Sequence, residues 1–185
     1  MGEQSFESIT MSQIAERAGV GRTAVYNHFA DKEVLLLAYM REVTEEFTRV
    51  LTVRLESEPD PLMRLRIYIR AHLQMISRYH VKAGTGLRRQ MSGQGASHLH
   101  DHAGLVGEVL IGILDEAMER GLIVEQNTLG AVHLIHATLQ GQRLPQAPAH
   151  RESALLLVET FILRGLGASE ENVCQVTASS LASGE

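Results

Sequence analysis

Residues 12–29 read SQIAERAGVGRTAVYNHF, and the side chains that could do chemistry crowd into the second half of this stretch. Arg22, Thr23, Tyr26, Asn27 and His28 bring a guanidinium, two hydroxyls, an amide and an imidazole close together. The set is polar, rich in hydrogen-bonding groups and only mildly charged, as a surface that reads base edges must be; a merely solvated face is usually a Glu/Lys mixture. Arg22 can pair bidentately with guanine or grip a phosphate, and Thr23 can meet a thymine methyl or a hydrogen-bonding edge. Tyr26, Asn27 and His28 suit backbone phosphates or base edges, and Lys32 suits a phosphate. Thr10 or Ser12 is placed to cap the helix ahead, whose N-terminus could also hold a phosphate.

Two short helices must position that set. Met11, Ile14, Ala15 and Ala18 recur at the spacing of one helical stripe. Gly19 stops that helix, Val20 is expected to plug the turn, and Gly21 opens the next helix, which should turn Ala24, Val25 and Phe29 inward. A small residue at Ala15, where two helices would cross, matches a DNA-binding helix-turn-helix, although an ordinary helical hairpin shares the spacing. The outward-facing set favours DNA.

Downstream, Asp31 can cap a long helix over 32–56, with Leu36, Met40, Val43, Phe47, Val50 and Leu51 along one seam. This helix joins the reading head to everything beyond it. Asp60-Pro61 is a helix start, and its stripe runs to about Tyr79. Further helices are expected over 87–91, 98–120, 128–140 and 151–166, with residues 92–97 (SGQGAS) as a loop and a fraying tail over 168–185 in which Val173, Val176 and Leu181 would allow a short helix. No strand alternation persists and no repeat stands out, so the fold class is all-α.

The segment IAERAGVGRTAVYNHFADKEVLL resembles the N-terminal signature of the TetR family of transcriptional regulators. Ile14-Ala15, Ala18-Gly19-Val20, Val25-Tyr26, His28-Phe29 and Lys32-Glu33-Val34-Leu35 carry the likeness. Gly21 replaces a serine usual in the family, and Thr23 a frequent glycine, so the cap is weaker and the sequence preference altered. The resemblance implies a DNA-binding head over 1–55 and a helical effector-binding and dimerisation domain over 56–185. It also implies a helix ahead of residue 5 that residues 1–10 are too short to hold, so the first helix is expected to be truncated or unobserved. It further implies a homodimer formed by the last two helices. Leu134, Ala154, Leu155, Val158, Phe161 and Ile162 are the candidates, and a helix apolar nearly all round agrees with a covering partner.

The remaining constellations are weaker. An effector pocket could be lined by Phe47, Met75, Tyr79, Met91 and Met118, with Tyr79, His72 or Arg88 as polar contacts, although methionines at helical spacing often only fill core. His98 and His102 stand at metal-ligand spacing if helical, with Asp101, His72, His133 and His136 as further donors. The set lacks the compact ligands of a closed site, and no metal or other cofactor is expected. Catalysis finds little support: no phosphate-binding glycine loop or nucleophile elbow occurs, and Cys174 has no nearby histidine in the sequence.

Composition bounds the reading. The 185 residues are 44% hydrophobic with a net charge of −5, and residues 1–55 hold six Lys/Arg against eight acids. DNA affinity would therefore depend on a few placed cations rather than on a diffuse basic field. No apolar run can span a bilayer, no basic-then-apolar leader opens the chain, and one cysteine excludes an internal disulfide, which suits the cytoplasm. The expectation is a homodimeric regulator, most simply a repressor, released from a near-palindromic double-stranded DNA operator by a small molecule and making no membrane contact. Its rival is a helical small-molecule or metal sensor or carrier that no longer binds DNA. Effector, operator sequence, regulated genes and the choice between repressor and activator lie beyond the sequence.

Overall fold

The structure is a computed structural model that describes residues 9–79 and 93–178, with side chains at 78–79 and 93–105 excepted. Among the described residues there are eight helices and no strand. They are α1 (Met11–Ala18), α2 (Arg22–His28), α3 (Lys32–Glu56), α4 (Pro61–Tyr79), α5 (Gly93–Glu119), α6 (Thr128–Gln140), α7 (Pro148–Gly165) and α8 (Glu170–Ala178). Two compact units are present, and the division passes through α3 at Glu46–Phe47 and through α5 at Ala103–Gly104.

The first unit is built on α1 and α2. Thr10 caps α1: its hydroxyl accepts the Gln13 N–H at 3.3 Å, while the Gln13 side chain accepts the Thr10 N–H at 2.8 Å. This reciprocal pair satisfies two of the donors that every helix start leaves open. Gly19 closes α1 at φ +69°, and Val20 N–H reaches back to the Ala15 carbonyl at 3.0 Å. Met11, Ala15 and Val25 form the small core, with Ile14, Phe29 and Leu35 packed around it. Two expectations fail here. Val20 is 48% exposed rather than a plug, because the glycine turn closes by backbone hydrogen bonds alone, and Ala24 is also exposed because Val25 and Phe29 take the inner face. Asp31 caps α3 through the Glu33 and Val34 N–H groups, at 2.8 and 2.9 Å.

In the second unit α4 packs against α6, α7 and α8. It starts where Asp60 accepts the Leu62 N–H at 2.9 Å, and it buries Leu62, Leu65, Tyr68, Ile69 and Leu73. Helix α5 begins at Gly93, inside the stretch read as a loop, and α7 begins at Pro148 rather than near 151. Proline at a first helical position loses no hydrogen bond, which explains the earlier start of α7. The tail forms α8, whose Val173 and Val176 join the core. The expected short helix over 87–91 lies outside the described residues.

Candidate nucleic-acid interface and interior ring cluster

The first unit brings together the residues expected to read bases. Arg22, Thr23, Tyr26, Asn27 and His28 are all exposed on α2, while Val25 anchors that helix inward. The Arg22 guanidinium lies 5.4 Å from the centre of the Tyr26 ring, one turn away, so the two are partly ordered before any partner arrives. Gly21 offers α2 no side-chain cap. Thr10 is exposed but its hydroxyl is committed to Gln13, and Ser12 is half-buried. Lys32 is half-buried and donates to the Ile9 carbonyl at 3.4 Å, which holds its ammonium beside the start of α1.

The described residues of the second unit include a stack of rings. Tyr68 and His72 stand one turn apart on α4 and His136 comes from α6; the His72–His136 centroids are 5.3 Å apart and nearly parallel. Tyr68 stacks on His72 at 5.7 Å and on His136 at 6.1 Å, and Phe47 meets His72 edge-on at 6.0 Å. The Tyr68 hydroxyl oxygen is 2.6 Å from His136 Nε2 and 3.3 Å from the Val106 carbonyl. Both contacts are met at once if Tyr68 donates to Val106 and His136 Nε2–H donates to Tyr68. Burial drives the imidazoles toward the neutral form, lowering His72 to about 3 with help from His136, and lowering His136 with help from His133. Burial also pushes the Tyr68 phenol up, so it stays protonated.

An ion cluster ties α4 to α7. Glu159 is fully buried and accepts from Arg66 Nε at 3.3 Å and from Arg70 Nε; Arg70 also grips Glu152 at 2.6 and 3.1 Å. Burial raises the Glu159 carboxyl while Arg70 and Arg66 pull it down. This cluster escaped the sequence reading, although Arg66/Arg70 and Glu152/Glu159 stand one and two turns apart on their helices.

The other predicted residues divide. Phe47 and Met118 are partly buried against the core, Met75 is half-buried, and the side chains of Tyr79, Arg88, Met91, His98 and His102 lie outside the described residues. No group of three metal-ligating side chains occurs among the described residues. Leu155, Val158 and Ile162 are corrected from interface to core: each is buried within this chain, because α7 turns that stripe onto its own unit. Leu134, at 72% exposed, and Phe161, at 64%, remain on the surface, Ala154 is half-buried, and Leu157, missed earlier, is 71% exposed.

Residues 1–39 match the family model for bacterial regulatory proteins of the tetR family. The N-terminal helices are thus similar to those of TetR-family regulators. An HTH-type transcriptional regulator of Mycobacterium tuberculosis is 33% identical over 69 residues, which cover 37% of this chain and 34% of that one. The chain thus matches about a third of the length of the curated relatives. The fatty acid degradation regulator FadR from Bacillus halodurans shares the fold, with a TM-score of 0.75, 20% identity and 90% of each chain covered. AibR, solved with isovaleryl coenzyme A and operator DNA, has a TM-score of 0.68 and 18% identity over 84% of this chain and 87% of that one. The architecture is therefore the all-α one of TetR-type regulators, with an N-terminal helix-turn-helix.

Proposed function

We propose that this chain is a DNA-binding transcriptional regulator, working as a homodimer in the cytoplasm, without enzymatic activity, and released from its operator when a small molecule binds in the second unit. The observation that carries this reading is α2, whose polar side chains are all exposed while Val25 and Ala15 seat it on α1. A helix so mounted fits the major groove, where its hydrogen-bonding groups can read base edges. AibR, solved with both isovaleryl coenzyme A and operator DNA, supports the pairing of small-molecule and DNA binding in one fold. Among the described residues no helix is long and apolar enough to cross a membrane.

A second copy would cover the exposed Leu134, Leu157 and Phe161. It would also set two α2 helices about one DNA turn apart, as a near-palindromic site requires. Helix α3 begins in the head and ends in the second unit. Effector binding there would bias α3 and so the spacing of the paired heads.

The test uses a duplex that the parent chain selects from a random library. Arg22→Ala should weaken binding to that duplex about 5–150-fold and relax its sequence preference, if Arg22 reads a base. Lys32→Ala should weaken the selected and random duplexes alike and reduce the salt dependence by about one ion. If both variants bind as the parent does, the reading fails.

A further inference from the structure

One nitrogen in the interior of the second unit has no use in the fold. The ring stack closes on one side, where Tyr68 bridges His136 to the Val106 carbonyl. On the other side His72, only 7% exposed, has a buried Nδ1 with no hydrogen-bond partner. Buried polar atoms almost always have a partner, and one left open in a ring cluster requires an explanation. Phe47 meets the ring edge-on, Tyr68 and His136 stack on it, and Leu51, Leu73, Val106 and Leu110 are buried in the core of the same unit.

We infer that His72 Nδ1 is the polar contact of the small-molecule effector, and that this effector is a lipophile with an uncharged oxygen head, a hydroxyl or carbonyl, rather than an ammonium. The inference rests on the reading of the second unit as the effector domain. It follows from what the cluster can satisfy. Among the described residues, the groups acting electrostatically on the two imidazoles are themselves histidines, His136 on His72 and His133 on His136, with no carboxylate among them. Among these described groups a buried ammonium would find no counter-charge, and a carboxylate would find no standing cation. A hydroxyl or carbonyl needs one hydrogen bond, and a neutral imidazole supplies one, as donor or acceptor according to its tautomer. The apolar remainder of the molecule then packs among the core side chains.

The full chain is tested with three probes that differ only in their heads: octan-1-ol, octanoate and octylammonium. Thermal shift should show stabilisation that rises with octanol concentration, less with octanoate and none with octylammonium. In the parent chain labelled with ¹⁵N-histidine, octanol should move the His72 Nδ1 resonance and leave that of the exposed His150 in place. His72→Phe removes the unpartnered nitrogen; it should melt higher than the parent without ligand and bind octanol at least tenfold more weakly. If that variant does not fold, the parent's histidine resonances decide the matter.

Equal stabilisation by octylammonium, undiminished octanol binding by folded His72→Phe, or an unmoved His72 resonance each overturns the inference. Operator binding is measured separately on the ligand-free chain. A chain that ignores DNA but shows the octanol pattern removes the regulator and supports the site. A chain that binds its operator but lacks the octanol pattern overturns the site and leaves the regulator standing.

Discussion

The two units of this molecule are held together by different means. Among the described residues, the first rests on three buried side chains, Met11, Ala15 and Val25, and on local hydrogen bonds at its helix ends. The second draws its core from α3 through α8 and encloses a buried carboxylate, two arginines and two neutral imidazoles. A face proposed to meet DNA must leave its polar groups in water, so little apolar surface remains to bury and the backbone caps carry the shape. A deeply packed unit can instead hold charged groups that would be too costly in a thinner one. The contrast predicts where substitutions will be felt and how far their effects will spread.

The largest effect should come from Glu159→Ala. This fully buried carboxylate is shared by Arg66 and Arg70, and its loss strands guanidinium charge between α4 and α7. Breaking a buried pair on one side typically costs about 3–5 kcal/mol. The loss should appear as a lowered denaturant midpoint with faster amide exchange in α4 and α7. Glu170→Ala breaks the Arg164–Glu170 pair, in which both side chains are more than half exposed, and should leave the midpoint unchanged. A similar shift in both variants would show that burial is not what separates these pairs.

Next come two glycines with nearly the same backbone, one in each unit. Gly19 has φ +69° and Gly167 φ +76°, so an alanine at either place meets the left-handed penalty of about 1–2 kcal/mol. At Gly19 the added Cβ meets nothing within 4 Å. At Gly167 it would lie 2.6 and 2.8 Å from the Val124 methyls, and Val124 is itself tied by its N–H to the Leu166 carbonyl at 3.1 Å. Gly167→Ala should therefore cost about 2–4 kcal/mol, with overpacking added to the backbone strain. Adding Val124→Ala should recover part of that loss. Equal midpoints for the two single variants would remove crowding as a difference between the units.

Much of this was legible in the sequence, and the particular residues show why. Thr10, Asp31 and Asp60 announced helix starts because capping is a local transaction between neighbours, and Gly19 announced a stop for the same reason. The exposed set on α2 was likewise readable, since one helix with a single apolar anchor has only one way to face. Helix α5 was misplaced at its start because Gly93 and Ser97 vote for a loop whatever the tertiary surroundings decide. The stripe of Leu155, Val158 and Ile162 was given to a partner because apolarity along one helix does not say which stripe meets its own core. The Glu159 cluster and the Tyr68–His136 contact join residues 93 and 68 positions apart, and no local pattern encodes such pairings.

The smallest effect tests the head alone. Thr10→Ala removes the hydroxyl that accepts the Gln13 N–H, and with it one side of the reciprocal cap on α1. Caps of this kind are worth about 1 kcal/mol, equivalent to a roughly fivefold change in opening. Because the core of the first unit is so small, that change should be visible as faster amide exchange through α1. α2, seated on Ala15, should follow, and affinity for the selected duplex should fall with it. Exchange in α4 and α7 should not move, since nothing in their packing involves this cap. If those helices lost protection to the same degree, the chain would open as one cooperative body, and the division between a head held by local hydrogen bonds and a second unit held by its core would be lost.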